Sequence, residues 1–196
     1  ASLIQEYNHQ VKTPLAIIRG RLETLFDRER DAQYLANIQK LVLEQLDRAN
    51  YIVESTLRLS QPHERHEVDL NINDVIDEAL HLFPPSGVHL VKNLSQVPLI
   101  KGDRDDLQTV FINLLKNAVE AMPKGGELKL TTYPTSQDDN HLVCVEISDS
   151  GVGIPEENME KIFEPFFSTN VTRGRGLGLS IVFRVVREHL GKIEVK

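Results

Sequence analysis

The 196-residue chain has a single cysteine, no long apolar run and too little positive charge to balance its acids. Cys144 lies in the apolar run Leu142, Val143, Val145, Ile147, so no internal disulfide can form and the thiol reads as a small core residue. That usage fits a reducing compartment. No apolar stretch approaches the ~18 residues of a membrane helix, and no signal-peptide pattern is present. No membrane contact is expected from this stretch. Lys and Arg number 22 against 29 Asp and Glu, a net charge of −7, which argues against a nucleic-acid or polyanion binder. There is no internal repeat, no low-complexity tract and no Gly-Lys-Ser/Thr phosphate loop. What remains is an ordinary globular profile, 40% hydrophobic and 26% charged, long enough for one large domain or two small ones. The pattern opens in mid-helix and breaks off at Ile193-Glu194-Val195-Lys196. A fragment of a longer protein is therefore expected.

Residues 1–60 read as two helices. Leu3, Tyr7, Val11, Leu15, Ile18, Leu22 and Leu25 recur at helical spacing, as do Leu35, Ile38, Val42, Leu46, Ala49, Val53 and Thr56. The charged segment Phe26 to Asp31 joins them, with Asp31 placed to cap the second helix. Two helices alone bury too little surface to be stable. The hairpin is therefore expected to pair with a second copy as a dimeric four-helix bundle, rather than to fold as an arm on its own globular domain. Pro14 falls inside the first helix. It removes one backbone hydrogen bond and crowds the carbonyl of Gln10, which predicts a kink or loosened turn just after His9.

Residues 61–67, with Pro62, read as a linker. His63 and His66 lack a third ligand nearby and read as solvated linker residues rather than a metal pair. Residues 68–196 mix strands and helices without strict alternation, an α+β layer with helices on one sheet face. The expected strands are Val68 to Leu70, Val88 to Val91, Leu99-Ile100, Leu128 to Tyr133, Leu142 to Ile147 and the start of one at Ile193 to Val195. Helices are expected from Asn73 to Phe83, from an Asp103 cap to Met122, and from Leu177 to Leu190. Pro134 to Asn140 reads as a polar loop.

Four features in this second part carry chemistry. Asn113 and Asn117, four apart, put two carboxamides on one helix face. Asparagine is a poor interior helix residue, but its oxygen is a neutral hard ligand suited to a Mg²⁺ that keeps its waters and shares phosphate oxygens. Asp149-Ser-Gly151-Val-Gly153-Ile154 follows a strand, and a buried carboxylate at that strand end could accept a hydrogen bond from an exocyclic amine such as adenine offers. Gly174-Arg175-Gly176-Leu177-Gly178 leads into a helix, whose exposed amides suit phosphate. No strand precedes it, so the dinucleotide-fold version of the motif is disfavoured. Between the two glycine motifs, Phe163-Glu-Pro-Phe166-Phe-Ser-Thr lies in a long loop and predicts a lid that docks over ligand.

In this order and spacing the motifs resemble the sensor histidine kinases of two-component systems, over essentially the whole chain. His9 and its neighbours resemble the phosphoacceptor box, and Asn113 to Asn117 the N box. Asp149 to Gly153 resemble the G1 box, Phe163 to Phe166 the F box, and Gly174 to Gly178 the G2 box. The wording Asn117-Ala-Val-Glu-Ala-Met-Pro-Lys-Gly-Gly is similar to the sporulation and nitrogen-regulatory kinases. The resemblance implies a two-layer α/β sandwich of the Bergerat type after the dimeric hairpin, with ATP and Mg²⁺ as cofactors. It implies that Asn117 and Asn113 hold the metal, that Asp149 reads the adenine amine, and that Gly174, Gly176 and Gly178 let the lid wrap the phosphates. Gly151, Gly153, Ile154, Phe163, Phe166 and Leu177 complete the implied nucleotide site. His9 would attack the γ-phosphoryl group, the linker around Pro62 would act as hinge, and a response-regulator receiver domain would take the phosphoryl group onto an aspartate. The implied setting is the cytoplasmic portion of a bacterial protein, whose full length carries a membrane or sensor part upstream.

The chain departs from the family in three places. Gln10 stands where an acid is common, and an amide cannot take a proton from the imidazole. Glu120 stands where a basic residue is common, leaving Lys116, Arg173 and Arg175 to supply charge near the phosphates. The final Gly-Thr-x-Phe strand is not reached, so one sheet edge is expected to lack it. Thr13, one turn after His9, is the candidate for dephosphorylating the regulator. A hydrolytic ATPase resembling gyrase or Hsp90 would place a glutamate at Asn113, since an asparagine cannot activate water. An anti-sigma-type serine kinase would lack residues 1–60. A non-catalytic scaffold would not need all four ATP-site motifs.

Overall fold

The computed structural model describes residues 3–23, 32–60, 66–137, 140–168 and 176–196. The side chains of residues 3–10, His9 and Gln10 among them, lie outside that description, as do residues 24–31, with the expected cap Asp31, and 61–65, with Pro62 and His63. The chain divides into two compact units, Ala1–His63 and Glu64–Lys196.

The first unit is a helical hairpin of α1 (Leu3–Glu23) and α2 (Ala32–Ser60) packed on each other. α1 continues as helix through Pro14, which is itself buried. The expected loosened turn is therefore not a break in the helix. Pro14, with half-buried Val11 and Ile18, forms the face of α1 turned inward, and Ile38, Ala49 and Ile52 are buried on α2. Leu15, Ile17 and Leu22 on α1 and Leu35, Leu43 and Leu46 on α2 are exposed. The apolar periodicity thus splits in two. One face closes the hairpin and the other lies open on the single chain.

The second unit carries two small sheets. β1 (Glu67–Leu70) pairs antiparallel with β3 (Ile100–Asp103). β4 (Glu127–Gln137) is the middle of a three-stranded sheet, parallel to β2 (His89–Leu94) and antiparallel to β5 (Asn140–Asp149). α3 (Ile72–Leu82) begins at Asn71, whose side chain accepts from the Asn73 amide. α4 (Arg104–Ala121) begins at the expected Asp103 cap, whose Oδ1 accepts from the amides of Asp105 and Asp106 at 3.0 and 3.1 Å. Such a cap contributes about 1 kcal/mol. Period-two alternation on β4 sends Leu128, Leu130 and Thr132 inward. Leu128 and Leu130 meet Val75, Ile76 and Ala79 of α3 and Leu107, Phe111, Leu115 and Ala118 of α4 in one core. Each fully buried Val, Leu or Ile there contributes about 1.5–3 kcal/mol. Asn73 ties the layers by donating to the Ser95 carbonyl and accepting from buried Thr132 Oγ1. α5 (Gly178–Glu188) packs against α4.

Two expectations are corrected. The stretch expected to be a polar loop from Pro134 to Asn140 is mostly strand, since ladder pairing continues to Gln137↔Asn140. Polar composition there marks an exposed ribbon, not a loop. Ile193 to Val195 is irregular rather than strand. A strand is defined by its partner, and none pairs with it among the described residues.

Candidate functional site

The site grows from α4. Its apolar residues face the core, and Asn113 and Asn117 follow each other one turn apart beside that face. Asn113 is buried and its Nδ2 donates to the Thr109 carbonyl at 2.9 Å. This bond orients the amide, because a carbonyl can only accept. Asn117 is exposed. Lys116, between them, carries its ammonium 5.7 Å above the Phe83 ring at the end of α3.

The Asp149 turn is seated on the end of the same helix. The Val152 amide donates to the Ala121 carbonyl at 3.1 Å, one helical turn beyond Asn117. Asp149 Oδ1 accepts from the Gly151 amide at 2.9 Å, closing the turn. A Cβ on Gly151 would lie 2.7 Å from Ala121 Cβ, the Ala121 carbonyl and Asp149 Oδ1. Only glycine lets the turn approach the helix this closely. Ser150 fastens the other side, with its amide donating to the Glu127 carbonyl and its hydroxyl accepting from the Glu127 amide. Asp149 is exposed rather than buried as expected. It stands at the last residue of β5, where the strand leaves the core, so its second oxygen is open to a partner. Gly153 turns with a positive φ of 71°, and Ile154 is exposed.

The aromatic segment and the second glycine motif meet each other. The Phe166 amide donates to the Gly176 carbonyl at 2.7 Å. Both residues have positive φ, 68° and 61°, a strained backbone for phenylalanine. A Cβ on Gly176 would come within 2.3 Å of the Phe166 carbonyl carbon. The Phe163 ring packs on Phe183 of α5 at 5.3 Å, tilted by 37°. Leu177 is buried and leads into α5 at Gly178. Arg173, Gly174 and Arg175 lie outside the described residues. Because α4 and α5 pack together, one helix pair carries the asparagines and Asp149 turn on one member and the aromatic and glycine motifs on the other. Phe183 and the Glu127 ladder position were not signalled by any motif, and Ala121 only as part of the stretch that follows Asn117. They contribute a carbonyl, a ring and a backbone edge, which many residue types could supply.

His9, Gln10 and Thr13 lie in the other unit, on α1, with Thr13 exposed. No group of three or more His, Cys, Asp or Glu that could hold a metal occurs among the described residues. Tyr133, on β4 across from Cys144, has its phenol pushed above the ordinary range by hydrogen bonding with Cys144 and then Glu146. It belongs to the sheet, not to this site.

Residues 2–65 match the family described as His Kinase A (phospho-acceptor) domain, and residues 102–196 match the histidine kinase-, DNA gyrase B- and HSP90-like ATPases. The mycobacterial sensor histidine kinase MprB is 32% identical, with a TM-score of 0.53 over 64% of this chain and 80% of that one. This chain belongs to the sensor histidine kinases. It is the kinase core of a two-component sensor, a phosphoacceptor domain followed by an ATP-binding domain. Sporulation kinase C of Bacillus subtilis (strain 168) is 30% identical over 96% of this chain and 44% of its own length. The kinase core thus spans under half of that curated relative. The crystal structure of the histidine kinase ThkA in complex with the response regulator protein TrrA matches 96% of this chain and 55% of that one, at 28% identity and a TM-score of 0.79. No helix among the described residues is long and apolar enough to cross a membrane.

Proposed function

We propose that this core phosphorylates itself on His9 with ATP and passes the phosphoryl group to an aspartate of a response regulator. The observation that supports this most is the seating of the Asp149 turn on the end of the helix that carries both asparagines. One bound nucleotide can then use its base at Asp149 and its phosphates toward Asn113, Asn117 and the Gly176 end of α5. The exposed carboxylate is an acceptor for the adenine amine. Gly151 and Gly176 stand where a Cβ would not fit. The neutral amides suit Mg²⁺, which favours phosphate oxygens and water over an all-protein cage. When bound, Mg²⁺ would neutralise charge on the transferring group. The gaps in positive charge are left to Lys116, Arg173 and Arg175.

In the reaction, the neutral His9 ring uses the Nε2 lone pair to form an N–P bond as the bond from the γ-phosphorus to its bridging oxygen breaks, and ADP departs. The remaining ring proton on Nδ1 can be hydrogen-bonded by the Gln10 oxygen but must leave to water. Positioning therefore supplies most of the acceleration. The exposed apolar stripe of α1 and α2 supports a homodimer through residues 1–60, with residues 61–67 joining it to the ATP-binding domain at 68–196. The ThkA complex supports a receiver domain as partner of this core. Thr13, one turn after His9, would position water for dephosphorylating that partner.

The test is labelled ATP with Mg²⁺ and purified protein. Acid-labile, base-stable label is expected on the wild type and none on His9→Ala; label surviving in that variant would overturn the assignment. Asn117→Asp is expected to lose labelling while keeping the wild-type oligomeric state, because a like charge is set against the phosphates. A hydrolysis rate above the transfer rate would favour the ATPase reading instead.

A further inference from the structure

The C-terminal end of α5 holds a junction that the nucleotide chemistry does not use. Asp103 is buried, and both of its oxygens are engaged. Oδ1 accepts from the Asp105 and Asp106 amides, and Oδ2 accepts from the His66 amide at 2.8 Å. The amide of Asp103 itself donates to His189 Nε2 at 3.0 Å, while His189 Nδ1 lies 2.8 Å from the Val185 carbonyl. A carbonyl only accepts, so Nδ1 carries the hydrogen and Nε2 is the bare acceptor nitrogen. The ring is tightly housed, since a Cβ on Gly102 would meet His189 Cδ2 at 3.0 Å.

Capping alone does not account for a buried carboxylate. Asn or Ser caps a helix about as well without burying charge. What the charge adds is the second acceptor, and that acceptor goes to His66, one residue before β1 begins. His66 is where the backbone arriving from the helical hairpin is first tied to the ATP-binding domain among the described residues. The eleven residues of α5 put His189 roughly 16 Å along the helix from the glycine motif at 1.5 Å per residue. His189 therefore stands well away from the glycine motif.

We propose that Asp103, held in place by His189, is a positioning residue for phosphoryl transfer: it anchors the backbone at His66, the first described residue of the ATP-binding domain, and supports the transfer step without binding nucleotide. The proposal rests on the kinase reading above. The decisive variant is Asp103→Asn, which keeps one oxygen for the two α4 amides but offers the His66 amide an NH₂ that cannot accept. A trinitrophenyl-ATP probe is expected to bind it within twofold of wild type, while the labelling rate at saturating ATP falls at least fivefold. His189→Leu should fall similarly. His189→Gln, whose amide oxygen can stand in for Nε2, should recover at least half the wild-type rate. An unchanged rate in Asp103→Asn overturns the proposal. So does a parallel loss of probe binding and rate in both Asp103→Asn and His189→Leu, which would make the junction structural only. If Asp103→Asn does not fold, the Leu and Gln variants of His189 decide: equal rates in the two overturn it. Label persisting in His9→Ala would instead remove the kinase reading beneath it.

Discussion

Gly151 shows how one missing methyl group builds the site. Its backbone lies where an added Cβ would sit 2.7 Å from three atoms, two of them on Ala121. Gly151→Ala must push the Asp149 turn off the end of α4, at an overpacking cost of about 1–3 kcal/mol. Nucleotide affinity is expected to fall at least tenfold, measured with the same fluorescent probe, while the helical hairpin is untouched. In the proposed reaction Gln10 matters through its functional group, since an amide cannot take the imidazole proton. Gln10→Glu restores a group able to take the imidazole proton. The labelling rate at saturating ATP is expected to rise several-fold with no change in probe affinity. An equal rise in affinity would show that the residue acts through binding instead. Sequence and structure contribute differently at these two positions. Gln10 was legible as a departure because its role depends on functional-group type. Gly151 was legible as a turn glycine of the implied nucleotide site, but its contact with Ala121 was not, because that contact joins residues thirty apart.

At the scale of elements, the helices were easier to read than the strands. Asp103 announced the start of α4 because a cap is a local hydrogen bond, made to the amides two and three residues on. Asn113 and Asn117 fall within α4 for the same reason, since helical spacing is local. Between Pro134 and Asn140 the composition points to a loop while the β4–β5 ladder continues, because ladder partners rather than composition decide strand length. The clasp between the aromatic segment and the second glycine motif was also hidden. It depends on Phe166 accepting a positive φ, which costs roughly 1–3 kcal/mol, so that its amide can reach Gly176. Gly176→Ala would drive a Cβ into the Phe166 carbonyl group and break that bond. The expected result is at least a tenfold loss of probe affinity with the oligomeric state unchanged, read by titration and sedimentation. Wild-type affinity in this variant would show that the clasp is dispensable.

At the scale of the whole molecule, the hairpin presents two apolar faces where a self-sufficient one would need a single face. Leu43 and Leu46 are exposed on α2, as Leu15 and Leu22 are on α1. Replacing Leu43 and Leu46 together by Glu removes about 3–6 kcal/mol of potential burial from each copy. Sedimentation of the full chain is expected to shift from dimer to monomer at micromolar concentration. A wild type already monomeric at that concentration would refute the bundle.

The sequence by itself determined which functional groups exist and their local spacing: an imidazole on the first helix, two carboxamides a turn apart, an Asp-x-Gly-x-Gly turn, and glycines before a last helix. These follow from bonds and periodicities a few residues long. Tertiary structure alone decided that Asp149 faces solvent, that its turn rests on Ala121, that Phe166 clasps Gly176, and that Asp103 joins His189 to His66. The last three are contacts that close loops in the chain, and loop closure is specified by the packing of the whole core rather than by the residues at its two ends.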